Sequence, residues 1–236
     1  MKTTDKPEKE EKVVFLFDVD NTLLNNDQVT RDMKAHLERE VGALGAKRYW
    51  AIFETLRSEL GYADYLGALQ RFRSEYPHDL RLLTVSSFLI NYPFANRLFP
   101  NSIDVIERAK SLGLAALLTD GDVVFQPRKV ERSGLLEAIE GRVLVYVHKE
   151  HELADVARRY PAKHYIVVDD KIRLLTAIKK IWHTRVTTVF VRQGHYALDP
   201  KIVASCPPAD ITLERIGELL GYELPDLLAA SRNKPT

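Results

Sequence analysis

Five short apolar runs set the frame of this chain: VVFLF at 13–17, LAALL at 114–118, VLVYV at 143–147, YIVV at 165–168 and VTTVFV at 186–191. They do not alternate apolar with polar residues. A strand that is apolar on both sides of its pleat must be covered on both faces, which is the condition of strands in a parallel sheet sandwiched by helices. Helical patterns separate the later runs, namely SIDVIERAKSLG at 102–113, ELADVARRY at 152–160 and KIRLLTAIKKIW at 171–182. Strand, helix, strand in succession predicts an α/β fold with a Rossmann-like parallel sheet.

One gap breaks the rhythm. Residues 18–113 separate the first run from the second, far more chain than a crossover helix needs. Val29, Met33, Leu37 and Val41 recur at helical spacing there, as do Tyr49, Ile52, Phe53, Leu56 and Leu60, then Tyr62, Leu66, Leu69 and Phe72. With LRLLTVSSFLI at 80–90 they predict a small helical bundle, entered through NNDQ at 25–28 and left through NYPFANRLFP at 91–100. The expected organisation is a tail at 1–12, a core formed by 13–26 and 99–236, and an inserted helical domain at 27–98. ITLERIGELLG at 211–221 reads as one more helix.

The 34 lysines and arginines nearly balance the 33 aspartates and glutamates. No broad positive field exists to gather nucleic acid or an anionic membrane, so an anionic ligand has to be held locally. The single cysteine, Cys206, allows neither an intrachain disulfide nor a cysteine metal cluster. The amino terminus is charged and no run reaches the roughly 18 to 20 apolar residues of a membrane span, which suits a cytoplasmic protein. Oligomeric state is not legible.

In an open parallel sheet, ligands sit outside the carboxyl ends of the strands. Asp18 and Asp20 follow the first run, Thr119 and Asp120 the second, His148 and Lys149 the third, Asp169 and Asp170 the fourth. Alone, Asp18 and Asp20 could be a turn after a buried strand, Thr119 and Asp120 read better as a turn and a helix cap, and Asp169 and Asp170 could cap the helix that follows. Together they put carboxylates, a hydroxyl and an ammonium on one edge, and clustered carboxylates call for a hard divalent cation such as magnesium. The ammonium and hydroxyl would then neutralise a transferring phosphoryl group.

DVDNTLL at 18–24 resembles the first motif of the haloacid dehalogenase superfamily. LLTDGD at 117–122 is similar to its second, Lys149 to its third and VVDD at 167–170 to its fourth, in the same order. The helical insert lies where one type of cap domain lies in that family. The resemblance implies a magnesium-dependent hydrolase, most often of phosphate esters, here with a small phosphorylated metabolite as the expected substrate. It implies Asp18 as nucleophile and Asp20 as the acid and base that serves the leaving oxygen and then water. Magnesium is expected on the Asp18 carboxylate, the Asp20 backbone carbonyl and Asp170, with Asp169 an alternate ligand or a support behind the ligands. Thr119 and the N–H of Asp120 are expected to bind phosphoryl oxygens, and Lys149 to pair with Asp18. A helix beginning near Gly121 would add dipolar support. The family's dehalogenating branch lacks the second aspartate, so Asp20 speaks against carbon–halogen chemistry.

Lys129 competes with Lys149 for the lysine role, but only Lys149 directly follows a strand. Many members carry another acid three or four residues past the paired aspartates, where this chain has Arg173 or Leu174. His148 and His151, with His164, suggest a zinc site only weakly. His195 and Arg192 follow the fifth run, and Tyr49, Arg57, Tyr62, Tyr65 and Arg71 of the insert are candidates to reach a leaving group. Phosphotransfer to a sugar phosphate and a non-catalytic binding module are the competing functions.

Overall fold

The computed structural model describes residues 11–231. Six parallel strands form one sheet in the order β3-β2-β1-β4-β5-β6. The sheet comprises β1 (Glu11–Phe17), β2 (Leu114–Asp120), β3 (Val143–Tyr146), β4 (Ala162–Asp169), β5 (Val186–Val191) and β6 (Ile211–Leu213). Between β1 and β2 run α1 (Asn26–Leu60), α2 (Tyr65–Glu75), α3 (Leu82–Asn91) and α4 (Ser102–Leu112). The pairs α5 (Phe125–Arg132) and α6 (Leu135–Ala138), then α7 (Leu153–Arg159), then α8 (Ile172–Trp182) link β2 through β5. Helices α9 (Gly194–Leu198) and α10 (Pro200–Ala204) precede β6, and α11 (Leu224–Ala230) ends the described chain.

The absence of alternation in the apolar runs has the cause expected. Successive strand residues face opposite sides: Val13, Phe15 and Phe17 of β1 enter one apolar layer with Val105, Ile106 and Ala109 of α4, whereas Val14 and Leu16 enter the other with Leu175 and Ile178 of α8. The chain winds outward from β1 to β3, then returns to build β4 through β6 on the other side. The reversal falls beside β1, so its carboxyl end opens onto the crevice where such folds bind ligands.

Four sequence expectations need correction. Residues 1–10 of the expected tail lie outside the described residues, but Glu11 already pairs with Ala162, so β1 starts two residues before Val13. The first two apolar stripes of the insert form one helix, α1, broken at Gly42, whose φ of 77° no other helical residue would adopt cheaply. Its start is set by Asn25, whose side chain accepts from the Gln28 N–H at 3.0 Å, so most of the expected NNDQ turn is already helix. Finally, 211–221 is not one helix: Ile211 and Leu213 are buried on either side of exposed Thr212, a period of two, and pair with Val189 and Val191 before a 3-10 turn at Ile216–Gly221.

The two crossings between sheet and insert are tied to each other. Asp32 of α1 accepts from the Arg97 guanidinium at 2.8 Å and from the Tyr92 hydroxyl. Burial, together with that carboxylate, pushes the Tyr92 phenol up to about 12. The insert's apolar core also continues into the sheet's own, because Phe125, at the start of α5, packs against Tyr65 and Phe94 with ring centroids 5.2 and 6.0 Å apart.

Candidate active site

Asp18 extends the β1 ladder by one bond, its N–H donating to the Val168 carbonyl at 2.9 Å. That bond fixes it between β2 and β4, beside Asp169, the last residue of β4, and Asp170; all three are buried. Lys149 arrives from the turn after β3. Its Nζ donates to Asp18 Oδ1 at 2.5 Å and to the Leu118 carbonyl at 3.0 Å, and pairs with Asp169 Oδ2 at 2.7 Å. Its own N–H donates to Asp120 Oδ1 at 3.0 Å. The ammonium thus donates two hydrogen bonds and meets Asp169 Oδ2 as an ion pair without hydrogen-bond alignment. No acid at 173 or 174 is needed to orient it: Arg173 turns outward to Glu150 at 3.4 Å, and Leu174 is buried in the layer under the sheet.

Burial alone would push the Lys149 ammonium down, but the carboxylates of Asp169, Asp18 and Asp120 outweigh it and hold it well above the ordinary lysine value. Burial raises Asp169 to about 6, Lys149 pulling against it and Asp18 adding to it. Burial, then Asp169 and Asp18, raise Asp170 well above the usual carboxylate range. The four carboxylates of Asp18, Asp120, Asp169 and Asp170 therefore outnumber the two ammoniums, Lys149 and Lys171, that face them.

The unsatisfied atoms say where further positive charge belongs. Asp18 Oδ2 and both oxygens of Asp170 are buried without a hydrogen-bond partner. Asp18, Asp169 and Asp170 each offer an oxygen within 4.8 Å of the others. Orphaned buried carboxylates are costly, and an all-oxygen set of this kind fits a hard divalent cation. Asp169 is the least available of the three, since its Oδ1 accepts from the Lys171 N–H at 2.7 Å while Oδ2 faces Lys149.

Asp20 does not join that cluster. Its side chain turns to Lys129, whose Nζ donates to Oδ1 at 2.6 Å, to Oδ2 at 2.8 Å and to Asn26 Oδ1 at 3.1 Å. Both lysines thus enter the site, one on each aspartate, where the sequence presented them as rivals. Thr119 is buried, its hydroxyl accepting from Gln126 Nε2 at 2.8 Å. The helix expected near Gly121 begins only at Phe125, and Asp122 takes the Val124 and Phe125 N–H groups at 2.8 and 2.9 Å, so that terminus is already capped. Sequence reasoning assigned no role to Lys171, Gln126 or Asn26. Lys171 Nζ lies 3.5 Å from Asp120 Oδ2; burial would lower it, but Asp18 and then Asp120 keep it raised. Its place directly after paired aspartates was the available signal.

A family model of haloacid dehalogenase-like hydrolases matches residues 13–181. The chain belongs to that family. Among solved structures, a haloacid dehalogenase-like protein of Burkholderia xenovorans LB400 is 60% identical over 90% of this chain and 99% of that one, with a TM-score of 0.85. Two others share the fold at low identity. A HAD-family protein of Bacillus subtilis, solved bound to magnesium, is 15% identical over 90% and 98% of the two chains with a TM-score of 0.59. The L-2-haloacid dehalogenase of Xanthobacter autotrophicus is 14% identical over 94% and 99%, with a TM-score of 0.57. No curated protein matches the chain.

In this hydrolase the insert closes over the site as a cap and leaves a cavity of about 870 Å³ between them, reaching Asp20, Asp170 and Lys171 below and Thr30, Arg57 and Tyr65 above. Of the cap candidates, Tyr49 is buried in the cap core with its hydroxyl on the Tyr65 carbonyl at 2.9 Å, and Arg71 pairs with Glu59 at 2.8 Å. Arg57 and Tyr62 line the cavity, Arg57 donating to the Tyr196 hydroxyl at 2.6 Å. His195 clamps the cap's first turn, its N–H and Nδ1 lying 2.9 and 2.7 Å from the Asp27 carboxylate. Gly194 makes this close approach possible, since a Cβ there would fall 2.4 Å from that of Asn21. Arg192 points elsewhere, to Glu214 at 2.8 Å. The three histidines do not converge: His164 lies near the start of β4, bonded to Thr187 at 2.8 Å, at the other end of the sheet from His148 and His151. Among the described residues no helix is long and apolar enough to cross a membrane.

Proposed function

We propose that this hydrolase is a magnesium-dependent phosphatase acting on a small phosphomonoester by way of an aspartyl phosphate. The observation that carries this reading is the division between Asp18, buried with one oxygen on Lys149 and the other unpartnered, and Asp20, held apart at the cavity wall. An unpartnered carboxylate oxygen beside a buried ammonium suits attack on phosphorus, and a separate acid beyond it suits the leaving oxygen. Attack forms a bond from Asp18 to phosphorus as the bond to the ester oxygen breaks, and that oxygen takes a proton from Asp20. Water then attacks the same phosphorus, gives its proton to Asp20, and releases phosphate with the Asp18 carboxylate restored. Lys149 would compensate charge on the phosphoryl oxygens, with the Thr119 hydroxyl and the Asp120 N–H as the other proposed donors.

Asp18 and Asp170, with the Asp20 carbonyl, would hold the magnesium, and Asp169 would support them. The ion supplies positive charge to a phosphoryl group that otherwise meets three carboxylates. The cavity under the cap favours a small phosphorylated metabolite, because about 870 Å³ is of ordinary small-ligand size. Phosphate release from a broad panel of esters, with magnesium or a chelator, for wild type and Asp18→Asn, tests the proposal. Magnesium-dependent release by the wild type alone is expected; equal turnover by both proteins would refute the covalent route.

A further inference from the structure

Lys129 is a residue that packing does not explain. It sits on the inner face of α5, only 1% exposed, while its neighbours Arg128 and Arg132 reach outward to Ile90, Asn91 and Glu131. One turn before it on the same face is Phe125, whose ring lies 5.6 Å from its Nζ. An apolar side chain would serve this position, and exchanging a buried ion pair for apolar contact is commonly neutral or stabilising. Burying an ammonium here therefore needs another reason.

Its contacts supply one. Lys129 spends all three donors on a single small constellation: both oxygens of Asp20, at 2.6 and 2.8 Å, and the side-chain oxygen of Asn26, the first residue of the cap helix, at 3.1 Å. Gln126, one turn earlier, reaches Asp20 Oδ2 at 3.4 Å and the Thr119 hydroxyl at 2.8 Å. Asp20 itself follows a strand by three residues and sits in a turn, where a short side chain is otherwise free to choose among rotamers. A two-point hold from a buried ammonium removes that freedom, and Oδ1, which accepts from Lys129 alone, keeps a second lone pair for the reacting proton.

We propose that Lys129 is a positioning residue that fixes the Asp20 carboxylate toward the leaving-group oxygen and ties that alignment to the cap through Asn26. The assignment rests on the reading of Asp20 as the residue that moves protons in ester hydrolysis. Lys129 donates to Asp20 and Asn26 and to none of Asp18, Asp169 and Asp170, so on this assignment its effect passes through Asp20.

The test uses two esters that differ in how much they need a proton. An alkyl phosphate such as glycerol phosphate expels a poor leaving group and depends on Asp20 for bond cleavage, whereas dinitrophenyl phosphate expels a stable anion unaided. In Lys129→Met, kcat for glycerol phosphate should fall about 10²-fold with little change in KM, the lower range of a general acid's contribution. The rate at which dinitrophenyl phosphate phosphorylates the enzyme, read as the first burst of dinitrophenol, should stay within about threefold of wild type. That unchanged burst also establishes that the variant is folded with its nucleophile intact. Adding Lys129→Met to Asp20→Asn should cost nothing further, since two residues acting as one unit are not additive. Equal losses on both esters, additive losses in the double variant, or no loss on the alkyl ester would each overturn the assignment. If the wild type releases phosphate from neither ester, the reading of the site fails first and takes this assignment with it.

Discussion

Asp18 and Asp20 stand two residues apart and each has a lysine, yet the two surroundings differ in almost every physical respect. Asp18 is held by the sheet: strand pairing on either side sets its backbone, and Lys149 with Asp169 and Asp170 surrounds it in a region closed to solvent. Asp20 is held by helices, by Lys129 of α5 and through it by the cap, and 27% of its side chain remains exposed. The first arrangement is buried and rich in carboxylates. The second is half-open and lies at the joint between two parts of the molecule. If Asp18 is the nucleophile and Asp20 the acid and base, as proposed, one motif serves two duties with its ends held by different parts of the molecule, one by the sheet and the other by α5 and the cap.

The largest effect should come from the buried end. Asp18→Asn is expected to lose turnover by roughly 10⁴-fold or more, as deletion of a covalent nucleophile does, measured as phosphate release at saturating ester. A loss smaller than that of Asp20→Asn would invert the comparison.

Lys149→Met should come next, and on the fold as well as the reaction. It removes the ammonium that contacts both Asp18 and Asp169 and leaves those buried carboxylates without it, so urea unfolding in chelator should show a loss of about 3 to 5 kcal/mol. Lys129→Met should cost much less by the same measurement, because water can reach Asp20; equal losses would mean that the two pairs are not different in kind.

Asp170→Asn tests the overcharged cluster from the other side. Both oxygens of Asp170 are buried without a partner, so removing the charge should leave the metal-free protein at least as stable as wild type. Wild type should gain roughly 2.7 kcal/mol when magnesium is a hundredfold above its dissociation constant, and the variant should gain little. A variant less stable than wild type in chelator would place the excess charge elsewhere.

The smallest effect belongs to the joint. Tyr196→Phe removes the hydroxyl that Arg57 meets across the cavity mouth, a single contact between exposed groups. A change of only a few-fold in KM is expected, since exposed contacts of this kind contribute under about 1 kcal/mol. A change as large as that of Lys129→Met would move the control of the cap from Asn26 to this rim.

Much of the buried region was legible in the sequence because its logic is local. An apolar run that stops at polar or charged residues announces a strand end, and four such ends predict one edge; Asp18, Thr119, Lys149, Asp169 and Asp170 meet there. The half-open region was not legible for the opposite reason. Lys129 looked like a distant rival of Lys149 because helical spacing shows which face of α5 a residue occupies, not which strand end that face covers. Asn26 looked like a turn residue, and only the cap's docking gives it a partner. The same limit explains β6: three residues alternating about Thr212 are too few to outweigh the helical pattern that follows, and it is pairing with β5 that makes them a strand.

The central claim, that Asp18 attacks phosphorus, can be tested on the enzyme itself. Wild type is mixed with dinitrophenyl phosphate and magnesium, quenched in acid within the first turnover, digested and weighed by mass spectrometry. The account predicts a phosphoryl adduct on Asp18, absent from Asp18→Asn, that disappears as phosphate is released. Release of phosphate at the wild-type rate with no adduct at any time, or an adduct on another residue, would contradict it.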